Sequence, residues 1–172
     1  MNVLDCIKGR FSVRNYTPEP VSDRDRDAIL EAARMSQSAN NVQEWRFVVV
    51  QDPETRRKLV PACRGQQQVA AAPVVIACCG TNIDYIMTCG QHSYSLDVAI
   101  AMENMSLAAH ELGLGTCWLG AFYEDQVKTI LGIPAEGVRI VGMLTLGHPA
   151  AKAPVKQRRP LADIVMNEHW QG

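Results

Sequence analysis

The chain lacks nearly every motif by which an enzyme that supplies its own chemistry is recognised. Its 172 residues contain no G-x-S-x-G elbow, no H-E-x-x-H pair and no G-x-x-x-x-G-K phosphate loop. Gly113-x-Gly115 follows a helical pattern rather than a strand, so the dinucleotide-binding context is missing. The six cysteines include no C-x-x-C pair, and the four histidines are scattered. A structural zinc or a disulfide framework is therefore not expected, and Cys78, Cys79 and Cys117 read as small buried hydrophobes.

Charge of one sign is also scarce. A net charge of -1 and a pI near 6.4 give no general attraction to nucleic acid or to an anionic membrane. Long apolar runs are missing too. The most apolar stretch, 93–114, is broken by Asp97, Glu103, Asn104, His110 and Glu111, whereas a membrane helix needs about 20 nearly uncharged residues. The first residues carry Asp5 and Lys8 and no apolar core of a secretory signal, so the cytoplasm is the expected compartment. Repeats and low-complexity tracts are absent, which favours one domain over 1–172.

What is present is a soluble composition, 47% hydrophobic and 20% charged, with clear local signals. Ser22 precedes a helical pattern through Ala28, Ile29, Leu30, Ala32 and Ala33. Residues 46–51 and 73–80 read as strands, the second buried. Asp52 and Pro53 start a helix. Residues 94–112 form a helix apolar almost all round, which needs cover on most sides from its own sheet or a second subunit. Gly113 stops it, 116–120 is extended, 124–131 is a helix closed by Gly132, and 138–146 is a strand. The tail from Ala150 has little apolar pattern and must dock on something to be ordered.

Enzymes without an acid, base or nucleophile motif often leave the hard chemistry to an organic cofactor. Two basic clusters could hold one. Arg10, Ser12 and Arg14 are spaced by two, which in an extended segment puts both guanidinium forks and the hydroxyl on one side, a donor set suited to phosphate. Lys156, Arg158 and Arg159 form the second. Taken alone, such clusters more often form solvated faces.

Four pieces, in order along nearly the whole chain, resemble the nitroreductase family of flavoproteins. Arg10-Phe11-Ser12-Val13-Arg14 is similar to its R-R-S-[VI]-R opening, and residues 38–47 to its P-S-x-x-N-x-Q-P-W-x-F segment. Residues 109–120 resemble A-x-E-x-G-L-G-x-x-W-x-G, and 147–149 with 156–161 resemble the closing G-x-P and K-x-R-x-P-L. The resemblance implies an α+β, nitroreductase-like fold: a central mixed, mostly antiparallel sheet of four or five strands flanked by helices, in an intertwined homodimer. It implies bound FMN, NAD(P)H as reductant, and ping-pong reduction of a small-molecule acceptor (nitroaromatic, quinone or flavin). No catalytic side chain and no metal are implied.

Carried over by position, Arg10, Ser12 and Arg158, with Lys156 nearby, hold the phosphate and ribityl chain, and Phe11 lies between them. Arg14 faces the pyrimidine edge, the backbone of Leu119 and Gly120 faces the ring near N5, and Gln67 touches the ring. Ser38 and Asn41 reach the flavin from the partner subunit, and residues 150–172 form an arm on that partner. Phe11 stands where the family has a second Arg, and Gln37 and Glu44 where it has Pro. Residues 82–92 are a candidate wall of the substrate pocket or a plain surface loop. Alternatives are a non-catalytic flavin-storage protein, a dehalogenase or flavin-fragmenting enzyme of the same fold, or a purely structural dimer.

Overall fold

In the computed structural model, which describes residues 1–171, helices and strands follow the order α1 (Val3–Gly9), α2 (Asp23–Arg34), β1 (Trp45–Val50), α3 (Pro53–Ala62), α4 (Gln68–Ala71), β2 (Val74–Gly80), α5 (Ser93–Glu111), β3 (Gly115–Leu119), α6 (Glu124–Leu131) and β4 (Arg139–Gly147). The strands form one sheet in the order β1-β2-β4-β3, each neighbouring pair antiparallel. A parallel bridge from Ser12 to Thr116 adds the N-terminal segment to the outer edge of β3. The sheet is thus mixed and mostly antiparallel, and the fold is α+β as expected.

Side-chain alternation explains why β2 has no polar face. Val74, Ile76 and Cys78 pack on one side with Ile29, Ala33, Met102 and Met105 of α2 and α5. Val75, Ala77 and Cys79 pack on the other with Leu59, Ala62 and Val127 of α3 and α6. A central strand covered on both faces reads as a continuous apolar run. Six free cysteines are distributed through the molecule, all but Cys89 buried.

Local signals acted as the sequence indicated. Ser22 Oγ accepts from Asp25 N at 3.1 Å to cap α2, and Asp52 Oδ2 accepts from Thr55 N at 2.7 Å to cap α3 at Pro53. Gly132, with φ of 67°, closes α6 in the left-handed conformation. Two helices were not expected from the sequence, although Asn2 Oδ1 caps α1 by accepting from Asp5 N at 3.0 Å. Helix α4 spans one turn, and α1 buries only Cys6 against its own chain, leaving Val3, Leu4 and Ile7 exposed. Residues 150–171 run along the surface with a single 3-10 turn at Leu161–Asp163; residue 172 of the expected arm lies outside the described residues. Among the described residues no helix is long and apolar enough to cross a membrane.

Candidate functional site

The segment after α1 runs along the open edge of β3. Val13 N donates to Thr116 O at 2.9 Å, and Val13 is buried while Ser12 and Arg14 on either side are exposed. The approach is close enough that a Cβ at Gly115 would sit 2.3 Å from Val13 Cγ2, so a side chain there would have to displace Val13. Tyr16 fastens the segment from behind: its hydroxyl donates to Val13 O at 2.8 Å and lies 2.7 Å from Thr145 Oγ1. Burial pushes the Tyr16 phenol far up, so it stays protonated as a donor. The backbone is also pinned by Thr17 N to His148 O and Ala150 N to Asn15 O, both at 2.9 Å.

This fixed edge gathers cations. Arg10 Nε donates to Glu103 Oε1 of α5 at 3.0 Å. Lys156 Nζ caps the C-terminal end of α1 by donating to Lys8 O. Burial, then Arg10, then Arg158 hold the Lys156 ammonium below its ordinary value. Burial and then Lys156 push His110 down, with Arg10 adding to it and Glu111 opposing. Glu111 is itself engaged by the N-terminal amine and by Cys6 Sγ, the latter at 3.1 Å. The cluster therefore holds more positive charge than its own carboxylates answer, the condition of an anion site.

Two adjoining hollows share Ser12. Arg10, Ser12, Glu103 and Trp118 line one; Phe11, Ser12, Arg14, Asn15 and Lys152 are among those lining the other. Trp118 is turned outward from β3 and oriented by donating Nε1–H to Ser106 Oγ at 3.0 Å. At the end of β3, Leu119 is buried and Gly120 faces open space, where a Cβ would meet nothing within 4 Å. Gln66 Nε2 donates to Ala121 O at 2.9 Å, and Tyr123 N to Ala62 O at 2.8 Å. These bonds carry the turn with the exposed Gln67 to the same end of the sheet.

Ser38 and Asn41 are elsewhere. Their loop precedes β1, the opposite edge of the sheet, three strand spacings or roughly 14 Å from β3. Asn40, Asn41 and Gln43 have φ of 50°, 56° and 55°, the left-handed region that non-glycine residues adopt only when held there. Ser38 Oγ accepts from Gln43 N at 3.0 Å, and Gln43 Nε2 donates to Asn41 O and Oδ1 at 3.2 and 3.1 Å. Residues 82–92 form a small hairpin bridged between Ile86 and His92, and Asn40 Nδ2 donates to the Tyr85 hydroxyl at 3.2 Å.

One chain therefore brings together Arg10, Phe11, Ser12, Arg14, Lys156 and Arg158, with Leu119, Gly120 and Gln67 at the end of β3, but not Ser38 and Asn41. The sequence reading gave no role to Glu103, Trp118 or Lys152. The signal for Glu103 was its place as a charge interrupting an otherwise apolar helix.

A sequence model of the Nitroreductase family matches residues 7–87 and 69–148. The chain is 30% identical over 177 residues to an oxygen-insensitive NADPH nitroreductase of Salmonella typhimurium, covering 96% of this chain and 73% of that one. It is 30% identical over 175 residues to an FMN reductase [NAD(P)H] of Bacillus subtilis, covering 92% and 70%. Among solved structures, the NADPH:FMN oxidoreductase of Vibrio harveyi complexed with NAD+ superposes with a TM-score of 0.90 at 28% identity, covering 100% of this chain and 79% of that one.

Proposed function

The chain belongs to the nitroreductase family, and from that membership we propose that it is an FMN-dependent oxidoreductase using NAD(P)H to reduce nitroaromatic, quinone or flavin-type acceptors. The observation that carries this is the surplus of positive charge where the 10–14 segment meets Lys156 and Arg158. The donor set suits the phosphate of FMN: Arg10 and Ser12 line one hollow on the fixed backbone edge, Ser12 and Arg14 the one beside it, and Lys156 is tied to the end of α1 just before them. Bound FMN supplies two-electron chemistry between two substrates that visit the same face in turn.

The residues of the chain bind and orient. Arg10, Ser12, Lys156 and Arg158 hold the phosphate end, with Phe11 covering the backbone between them. Arg14 would place positive charge at the pyrimidine edge, and the backbone of the buried Leu119 and of the exposed Gly120, at the end of β3, would lie along the ring beside Gln67. No side chain acts as acid or base; orientation and exclusion of water carry the rate.

Ser38 and Asn41 complete the site from a second copy of the chain. Because the two halves of one chain lie on opposite edges of the sheet, a site containing both takes one edge from each of two copies. The exposed Val3, Leu4 and Ile7 of α1, with Leu96 of α5 and Leu112 just after it, give such a homodimer its apolar contact. The arm 150–172, with Val155 and Leu161 exposed, packs on the partner as an extension of a single domain. Cytoplasmic residence fits six cysteines held as free thiols.

An absorbance spectrum of the purified protein tests the reading: a flavin spectrum bleached anaerobically by NADH or NADPH is expected. A yellow protein that does not bleach is a storage protein, and a colourless one that ignores added FMN sinks the proposal. Arg10→Ala is expected to lower FMN affinity by about tenfold or more.

A further inference from the structure

A helix that is apolar on most sides places its few polar residues where they hold something. On α5, Glu103 aims Arg10 and Ser106 orients Trp118, both serving the β3 edge. Asp97 and Asn104 are seven residues apart, two turns along one face of the helix, and both reach the segment entering β1. Asn104 Nδ2 donates to Ser36 Oγ at 2.7 Å, and Asp97 Oδ1 accepts from Ala39 N at 3.1 Å. Asp97 is 8% exposed, and a carboxylate so buried is maintained only with hydrogen-bond partners.

The Ala39 bond answers a specific deficiency. Residues Ala39–Asn41 form a 3-10 turn whose N-cap, Ser38, makes no side-chain bond to the turn. Its Oγ accepts from Gln43 N instead. The acceptor that an N-cap normally provides for the first free N–H groups comes here from Asp97, fifty-eight positions away in the chain. A hydroxyl that accepts one bond keeps its own O–H to donate, so Ser38 remains able to bond a ligand. The loop so held contains two consecutive left-handed asparagines, Asn40 and Asn41.

We propose that Asp97 is a positioning residue: by capping the 3-10 turn at Ala39, it sets the left-handed loop that presents Ser38 and Asn41 to the flavin. This rests on the reading that Ser38 and Asn41 are flavin contacts in the dimer. Asp97 does not touch the cofactor and moves no proton. Its role is to present an acceptor oxygen at one place, so an isosteric amide with its oxygen toward Ala39 can replace it.

The test is FMN affinity of the full-length apoprotein, by quenching of free FMN fluorescence, for the wild type, Asp97→Asn and Asp97→Ala, with thermal unfolding recorded for each. Asp97→Asn is expected to bind within about twofold of wild type, and Asp97→Ala at least about tenfold more weakly, the loss that follows a charge-assisted hydrogen bond. Where Asp97→Ala does not fold, Asp97→Ser, whose hydroxyl stops short of Ala39, gives the same comparison. Wild-type affinity in the folded Ala or Ser variant overturns the proposal, and so does equal loss in Asp97→Asn, because that assigns the effect to charge. Ser38→Ala and Asn41→Ala, run alongside, separate the two ideas. If both bind FMN normally, the loop is not a flavin contact; if both weaken binding while the folded Asp97→Ala or Asp97→Ser variant does not, only the role of Asp97 falls.

Discussion

Glu103 Oε1 on α5 lies 3.0 Å from Nε of Arg10, so the first cation of the N-terminal basic segment is aimed by a residue 93 positions away. The two side chains are 32% and 41% exposed, where ion pairs contribute about 0–1 kcal/mol to stability. Its value is orientation. Glu103→Leu is expected to change the free energy of urea unfolding by under about 1 kcal/mol while lowering FMN affinity several-fold, whereas Glu103→Gln, which keeps an acceptor, loses little. Equal FMN affinity in Glu103→Leu and wild type refutes the aiming role.

As a proposed phosphate ligand, Lys156 would link flavin binding to pH. Burial, then Arg10 and Arg158 lower its value in the folded apoprotein below that in the unfolded chain. The protonated form is therefore disfavoured by folding, and the apoprotein gains stability as pH rises through the lowered value towards the unfolded one. A bound phosphate reverses this, raising the value again and taking up a proton. FMN affinity is thus full below the apoprotein value and falls as pH rises through it. Titrations between about pH 8 and 11 are expected to show this alkaline loss in the wild type and a flatter profile in Lys156→Met. Superimposable profiles would count against the link.

Gly115 is the place to separate backbone position from charge. A Cβ there would sit 2.3 Å from Val13 Cγ2 and 3.1 Å from Pro149 Cγ. Gly115→Ala is expected to destabilise by about 1–3 kcal/mol and to displace the 10–14 segment, with loss of FMN although every cation remains. Adding Val13→Ala makes room, and both stability and flavin content are expected to recover in part. Urea unfolding and the flavin-to-protein absorbance ratio measure the two effects; no recovery would mean the crowding is not with Val13.

The proposed homodimer, with the site shared between its copies, makes a joint prediction for mass and colour. Leu4→Asp combined with Ile7→Asp puts charge on the exposed face of α1, which buries only Cys6 in its own chain. Sedimentation is expected to shift from twice the chain mass of 19.0 kDa to that mass, with FMN lost at the same time, since half the site leaves with the partner. A monomer that keeps wild-type FMN affinity would place the whole site in one chain.

The sequence was legible wherever a signal is local. Ser22, Asp52 and Gly132 mark helix ends through bonds and dihedral angles within a few residues, so their meaning does not depend on distant contacts. The uninterrupted apolar run of β2 announced a strand covered on both faces. Helix α1 was not read because it is seven residues long and most of its apolar side stays exposed, and the roles of Asp97 and Glu103 were not, because each acts on a segment far away in sequence.

By itself, the sequence determined the family resemblance, which follows from residue types in order along the chain, and through that resemblance it named candidate residues for the basic anchor. Only the tertiary structure decided that burial, then Arg10 and Arg158, lower the Lys156 ammonium, and that Ser38 and Asn41 lie on the opposite edge. The reason is strand order. Placing β4 between β2 and β3 sends the start of β1 and the end of β3 to opposite edges at the same end of the sheet, and local sequence does not encode that separation.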